Sequence, residues 1–121
     1  MKVLVVDDED LVRRSLRRAL ELRGHEVVEA CDGLEGLEKW QSDVPDLVYL
    51  DVLMPKLTGP AVLTRMGKQN SSKVILMSAF AGEYDLAKVH SMGADVFIPK
   101  PFEDIFSVVD RGEELMHGKG S

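Results

Sequence analysis

The amino-acid sequence predicts an α/β protein with a doubly wound parallel sheet, in which helices cover both faces of the sheet. Five short apolar segments alternate with five segments of helical periodicity, and the connections between them are short, with no linker or repeat. Such alternation is typical of parallel sheets joined by right-handed crossovers. The 121 residues suit one domain, which buries about two-thirds of the surface that its unfolded chain exposes.

Composition narrows the class of protein. A formal net charge of -6 argues against direct binding of nucleic acid. The single cysteine, Cys31, excludes an internal disulfide and indicates a reducing compartment. The N-terminal residues do not form a signal peptide, and no apolar run approaches the ~20 residues of a membrane helix. We therefore expect a cytoplasmic protein with no membrane partner.

Each predicted strand is a run of apolar and β-branched residues bounded by polar or turn-forming residues. The third strand is apolar up to its last residue, Asp51, where the chain must turn. A strand that delivers a carboxylate to its end is unusual, so we expect Asp51 to be a chemical centre. The five predicted strands are residues 2–6, 25–30, 47–51, 73–78 and 95–98.

The predicted helices begin at capping residues and end at glycine or turn clusters. We expect Asp10 to cap the first helix and Thr58 the third, with Pro60 in the first turn of the third helix. Gly112 within the fifth helix costs about 1 kcal/mol against alanine, which predicts weak last turns. The domain should comprise residues 1–117, with 118–121 a flexible tail. The predicted helices are residues 11–23, 34–41, 59–69, 84–92 and 103–116.

Polar side chains end four of the five predicted strands. Asp7 and Asp8 follow the first, Asp51 ends the third, Ser78 ends the fourth and Lys100 follows the fifth. The carboxyl ends of parallel strands meet at one edge, so these side chains converge if the first and third strands are neighbours. Two carboxylates ~4 Å apart repel by roughly 4 kcal/mol at an effective dielectric of about 20. Either their pKa values rise or a cation compensates.

An oxygen-only ligand set with open positions suits Mg²⁺. A carboxylate beside Mg²⁺, with Lys100 and Ser78 opposite, supplies the parts needed for phosphoryl transfer. Asp51 is the candidate nucleophile, the metal and Lys100 neutralise oxygens, and Ser78 donates a hydrogen bond.

The segments VLVVDDED, LDVLMPKLTG, MSA and GADVFIPKPF resemble the receiver domain of two-component response regulators, in particular the chemotaxis-type single-domain receiver. They occur in the family's order and cover essentially the whole chain. The resemblance implies a flavodoxin-like (βα)5 fold with strand order 2-1-3-4-5. It also implies a phosphoacceptor in a phosphorelay, whose partner is a histidine kinase or a histidine phosphotransfer protein. Such a signalling protein catalyses only its own phosphorylation and dephosphorylation and is not a turnover enzyme.

The resemblance also implies a metal site. Asp8, Asp51 and the backbone carbonyl of Leu53 would bind Mg²⁺, or Mn²⁺ in its place, and Asp7 would hold a metal-bound water. Asp51 would accept the phosphoryl group.

A further set of residues would sense the phosphoryl group. Ser78 and Lys100 would contact its oxygens, and the peptide bond between Lys100 and Pro101 would be cis. Ser78 and Phe97 would then shift and switch the face formed by the fourth helix, fifth strand and fifth helix.

Several residues depart from the family's common pattern. Thr58 stands where an acid is usual, and Phe97 replaces a frequent tyrosine, so the switch ring has no hydroxyl. Leu53 and Phe80 occupy the two positions that flank the path of the hydrolytic water, and both are apolar. We therefore predict that water is poorly oriented and that the aspartyl phosphate is long-lived.

Two other functions remain open. A phosphatase of the haloacid dehalogenase type needs a second acid two residues after the nucleophile, and Leu53 at that position argues against it. A receiver fold that is no longer phosphorylated, acting as an interaction module, is disfavoured by the complete acidic set.

The partners of the output face are less constrained by the sequence. Residues 93–97 lack the second acid that supports pairing through the output face in the transcription-factor branch of the family. We expect a monomer or weak dimer, acting on a downstream protein target or on an output domain missing from this chain. The arginines of the first helix lie opposite its apolar stripe and form either a solvated face or a kinase-docking site; they are Arg13, Arg14, Arg17 and Arg18.

Overall fold

The computed structural model describes residues 1–67 and 70–117 and confirms the predicted fold class. Five parallel strands form one sheet in the order β2-β1-β3-β4-β5. The predicted tail, 118–121, and the predicted end of the third helix, 68–69, lie outside the described residues. The strands are β1 (Lys2–Val6), β2 (Glu26–Ala30), β3 (Leu47–Asp51), β4 (Lys73–Ser78) and β5 (Val96–Pro99).

The helices agree with the predicted order, but two of them begin later than the sequence indicated. Asp85 and Asp104 are the N-caps of the fourth and fifth helices and accept backbone N–H donors there. A separate 3-10 turn, Ala81–Glu83, precedes the fourth helix. Over the stretches that the structure describes, none of the helices has the length and apolar character needed to cross a bilayer. The helices are α1 (Asp10–Leu22), α2 (Gly33–Asp43), α3 (Gly59–Met66), α4 (Leu86–Ser91) and α5 (Ile105–Met116).

The predicted caps of α1 and α3 had different outcomes. Thr58 caps α3, and its side chain accepts a hydrogen bond from the Ala61 N–H. Asp10 does not cap α1: Glu9 holds that position and makes no side-chain capping bond. The Glu9 carboxylate instead accepts from the Lys100 ammonium at 2.7 Å. Asp10 lies in the first turn of α1, where its carboxylate pairs with Arg13.

Apolar layers cover both faces of the sheet. Alternate residues of β3 point to opposite sides: Leu47 and Tyr49 pack under α1 and α5, while Val48 and Leu50 pack under α2, α3 and α4. Because both faces are buried, β3 is continuously apolar and does not alternate with polar residues. The last residue of β3, Asp51, is also buried, and it lies where the strand reaches one edge of the sheet.

Gly112 is required for the packing of α5 on the sheet. A β-carbon at this position would overlap the Tyr49 phenol, whose hydroxyl donates to the Val108 carbonyl at 2.9 Å. The comparison with alanine that predicted weak last turns therefore does not apply, because alanine does not fit. The helix continues to Met116.

Within residues 1–67 and 70–117, two non-glycine residues have a left-handed backbone conformation. Val44 follows α2 with φ 45°, and Lys56 lies between β3 and α3 with φ 70°. Left-handed conformations are costly for β-branched side chains. The exposed side chain of Val44 gains little from packing in return.

Candidate functional site

The carboxyl-terminal edge of the sheet brings three of the predicted acids together. Oxygens of Asp7, Asp8 and Asp51 all lie within 4.8 Å of one another. Asp7 follows β1 and Asp51 ends β3, and these two strands are hydrogen-bonded neighbours. Asp7 and Asp51 are buried, whereas Asp8 is exposed. Two carboxylates thus line the floor of the site and the third lies at its opening.

Lys100 contacts the same cluster. Its Nζ lies 2.9 Å from Asp7 Oδ2 and 3.5 Å from Asp51 Oδ1, and it also donates to Glu9. The side chain is only 7% exposed, so its charge is concentrated on these acids. The peptide bond between Lys100 and Pro101 is cis.

The carboxylates carry more negative charge than Lys100 compensates. Burial and the neighbouring Asp7 charge, opposed by Lys100, together raise the pKa of Asp51 to about 7. Burial also raises the pKa of Asp7, against hydrogen bonds from the Glu9 N–H and Lys100. Burial lowers the pKa of Lys100, but its hydrogen bonds to Glu9 and Asp7 prevail and the net pKa is raised. A further cation would therefore be stabilised here.

Ser78 ends β4 beside β3, and it is buried. Its Oγ accepts from the Phe80 N–H at 3.0 Å, and among the described residues its hydroxyl proton has no acceptor. The Ser78 carbonyl accepts from the Lys100 N–H at 2.9 Å, so the two residues are adjacent on the rim.

The start of α3 packs tightly against the end of β3. The Gly59 N–H donates to the Val52 carbonyl at 2.8 Å, and a β-carbon on Gly59 would overlap the Asp51 carbonyl. Only glycine permits this approach. The close packing fixes the backbone from which the Asp51 side chain projects.

The residues predicted to tune the phosphate lifetime are exposed apolar side chains. Leu53 is 54% exposed and Phe80 is 55% exposed. Each follows the end of a site strand by two residues, after Asp51 and Ser78 respectively. Neither side chain offers a group that could orient a water molecule.

Phe97 stacks on Tyr84, a residue that the sequence analysis did not single out. The ring centroids are 5.3 Å apart with an interplanar angle of 18°, and the Lys88 ammonium lies 5.0 Å from the Tyr84 centroid. Both rings are partly buried against the core on the α4 side. The sequence carried no signal for this stack, because the two rings are separated by the whole of α4.

Arg13 was also missed. The expectation that it lies on the exposed face of α1, as a solvated or a kinase-docking residue, is wrong, since it is only 8% exposed. Arg14, Arg17 and Arg18 are exposed as predicted. The Arg13 guanidinium donates to the Asp7 carbonyl and pairs with Glu29 of β2. Its i, i+3 spacing from Asp10 was visible in the sequence, but the partner on β2 was not.

The fold and the acidic edge define the class of a two-component receiver, and comparison with known proteins identifies the family. Residues 3–108 match the response regulator receiver domain, and the chain belongs to that family. It is a receiver domain of the two-component signalling systems.

Relatives support this assignment. The chain is 43% identical over 101 residues to the probable transcriptional regulator ycf27 of Cyanophora paradoxa, covering 84% of this chain and 42% of that protein. It thus spans less than half of that relative. The receiver domain of Francisella response regulator 1452 superposes with a TM-score of 0.87 at 29% identity, covering 98% of both chains. Vibrio cholerae chemotaxis protein CheY4 superposes at 0.80 with 26% identity, covering 93% of this chain and 96% of that chain.

Proposed function

We propose that this receiver accepts a phosphoryl group on Asp51 from the phosphohistidine of a histidine kinase or phosphotransfer protein. The observation that carries the proposal is the cluster of three carboxylates within 4.8 Å, with the Lys100 ammonium beside them. The deprotonated Asp51 oxygen forms the new bond to phosphorus as the phosphorus–nitrogen bond of the donor breaks. With a pKa of about 7, the carboxylate is only partly ionised near neutral pH unless a cation lowers that value.

The donor set fits Mg²⁺ or Mn²⁺. Its ligands are hard oxygen atoms, and the excess negative charge that raises the pKa of Asp51 is what a divalent cation would neutralise. Asp8, Asp51 and the Leu53 carbonyl would hold the ion, and Asp7 would hold a water on it. When bound, the ion supplies charge neutralisation for the phosphoryl oxygens.

Lys100 and Ser78 act on the phosphoryl group after transfer. Lys100 contacts Asp7, Glu9 and Asp51 before transfer, and it turns toward a phosphoryl oxygen once Asp51 carries that charge. Ser78 has its hydroxyl proton available to donate to a second oxygen. These two movements convert a local change of charge into a shift of β4 and β5.

Phe97 carries the switch to the face formed by α4, β5 and α5. Its ring is half-buried and stacked on Tyr84, so a movement of Ser78 that opens space at the end of β4 changes how this pair packs. The altered face binds a downstream protein or an attached output domain. The Cyanophora relative, named as a transcriptional regulator, supports the second kind of output.

Intact-mass measurement with a small phosphodonor tests the function. Wild type, Asp51→Asn and the matched control Asp46→Asn, an acid at the other edge of the sheet, are incubated with Mg²⁺ and acetyl phosphate. Wild type and the control should each gain one phosphoryl group, and Asp51→Asn should gain none; a chelator should abolish the gain. An unmodified wild type would support a pure interaction module, and rapid multiple turnover of the donor would support a phosphatase.

The phosphorylated protein also tests the proposed lifetime. Loss of the phosphoryl group should be slower in wild type than in Leu53→Asn or Phe80→Glu, on the order of tenfold, or ~1.4 kcal/mol in the barrier. The polar side chains can orient a water that the apolar ones cannot. Phosphate release is followed over time, and a wild type that loses phosphate faster than both variants contradicts the proposal.

A further inference from the structure

Arg13 is a buried arginine directly behind the acidic cluster. Its guanidinium has three partners: the Asp7 backbone carbonyl at 2.8 Å, Asp10 Oδ1 at 2.6 Å and Glu29 Oε1 at 3.0 Å. The side chain is 10% exposed. A guanidinium presents its donors in a fixed planar fork, so three simultaneous contacts hold three chain segments in one relative geometry.

The Asp7 carbonyl needs such a donor because the ladder between β1 and β2 ends there. The Asp7 N–H makes a last ladder bond to the Ala30 carbonyl at 3.1 Å. The chain then leaves the sheet, and Asp32 becomes the N-cap of α2. A buried carbonyl left without a donor destabilises the fold, because it has given up its hydrogen bond to water and gained none in return. The Arg13 guanidinium replaces the missing strand neighbour.

The residues fixed in this way are the first two acids of the site. The Asp7 carboxylate accepts from the Glu9 N–H at 2.9 Å and from Lys100 at 2.9 Å, so it is held at both its backbone and its side chain. Asp8 lies between Asp7 and Glu9 in the chain, and its side chain is exposed. Its direction depends on the backbone on either side of it.

Glu29 anchors the guanidinium to the sheet. Its second carboxylate oxygen pairs with Arg17 at 2.6 Å, and its backbone carbonyl accepts from Lys39 at 2.6 Å. Arg17 is exposed and has no contact with Asp7 among the hydrogen bonds of the described chain. Arg17 therefore pairs with Glu29 as Arg13 does, but it does not contact Asp7. This makes Arg17 a matched control for Arg13.

We propose that Arg13 is a positioning residue of the acidic site, holding the carboxyl end of β1 so that Asp7 and Asp8 face Asp51 at metal-binding distance. This inference rests on the proposed function for its metal-binding consequence. Its structural consequence, a carboxyl end of β1 fixed by a side chain of α1, does not depend on that function.

Mg²⁺ affinity measured by calorimetry is the first test. Arg13→Met should weaken Mg²⁺ binding on the order of tenfold, as is typical when a residue supporting metal ligands is removed. Arg13→Lys keeps the charge but cannot reach three partners, so the Mg²⁺ affinity of this variant should lie between those of wild type and Arg13→Met. Arg17→Met should bind like wild type. If Arg13→Met does not fold, Arg13→Lys carries the comparison. A wild-type affinity in the folded Arg13 variants would overturn the proposal.

Amide hydrogen exchange in the absence of metal is the second test. The Asp7 and Glu9 amides should exchange faster in the Arg13 variants than in wild type, relative to the Asp46 amide, which bonds to the Lys2 carbonyl at the other edge of the sheet. A purely global loss of stability accelerates all three alike, and that result would overturn the positioning role. A wild type that binds no Mg²⁺ would instead refute the proposed function, while the exchange comparison would still decide the role of Arg13.

Discussion

Acidic residues lie at both edges of the sheet, but their roles in the structure differ. At the amino-terminal edge, Asp46 Oδ2 accepts from the Lys2 N–H at 2.8 Å, and Asp95 Oδ2 accepts from the Val74 N–H at 2.9 Å. Each carboxylate caps one backbone donor at the start of a strand. These two acids have hydrogen-bonding roles in the fold and lie outside the cluster of three carboxylates.

At the carboxyl-terminal edge the acids crowd together. Asp7, Asp8 and Asp51 lie within 4.8 Å, and burial and mutual repulsion raise the pKa of Asp51 to about 7. Lys100 compensates only part of this charge. Acids at the amino-terminal edge therefore stabilise the fold, whereas the clustered acids at the carboxyl-terminal edge destabilise it. The difference arises because three carboxylates lie close together at the second edge.

The largest effect expected from this contrast is a gain of stability in Asp51→Asn. The folded-state pKa of Asp51 lies above its ordinary value, so the contribution of this carboxyl to stability is greatest in acid and is lost as pH rises from about 4 to about 7. Near pH 8 without Mg²⁺ the variant should be more stable by about 2–4 kcal/mol. Urea unfolding at both pH values measures the difference.

Two controls sharpen that prediction. The stability difference should become small near pH 4, where the Asp51 carboxyl is protonated in the folded chain and about half ionised in the unfolded chain. Saturating Mg²⁺ should also reduce it, since a ligand that binds only the folded wild type stabilises that state. A stability difference that is the same at both pH values would refute the role assigned to the Asp51 charge.

An intermediate effect of opposite sign is expected at the other edge. Asp95→Ala removes the acceptor of the N–H of the buried Val74 and should destabilise the fold by about 1–2 kcal/mol. Denaturant midpoints measure this loss of stability. If phosphorylation fell by as much in Asp95→Ala as it does in Asp51→Asn, the two edges of the sheet would not have separate roles.

The smallest effect concerns Val44, which precedes β3 at the amino-terminal edge. Val44→Asn should stabilise the fold by about 0.5 kcal/mol, because asparagine tolerates the left-handed backbone that valine adopts at φ 45°. A small rise in the thermal midpoint with unchanged Mg²⁺ affinity is the expected result. A fall in the midpoint would mean that the exposed valine side chain contributes packing that its exposure conceals.

The fold and the site acids could be predicted because they depend on local patterns. Apolar runs predicted the strands, and Asp7, Asp51 and Lys100 could be placed together because parallel strands end at one edge. Tertiary partners could not be predicted in this way. Helical periodicity predicted that Arg13 is exposed, because the pattern of α1 does not show its partner Glu29 on β2.

Boundaries failed for the same physical reason. The predicted cap of α1 was Asp10, but Lys100, distant in sequence, engages Glu9, and Asp10 pairs with Arg13. The Tyr84 ring lies on Phe97, outside the helix that the pattern assigned to it. Glu9 and Tyr84 thus make tertiary contacts that the local pattern of the sequence does not show.

The single tryptophan gives this molecule an optical reporter with a fixed location. Trp40 is 2% exposed, its indole N–H donates to Ser72 Oγ at 3.0 Å, and that hydroxyl donates to the Pro45 carbonyl at 2.6 Å. All three residues lie at the amino-terminal edge of the sheet, away from Asp51. Intrinsic fluorescence should therefore follow global unfolding cleanly, and a label on the Asp51 side of the sheet is needed to follow phosphorylation.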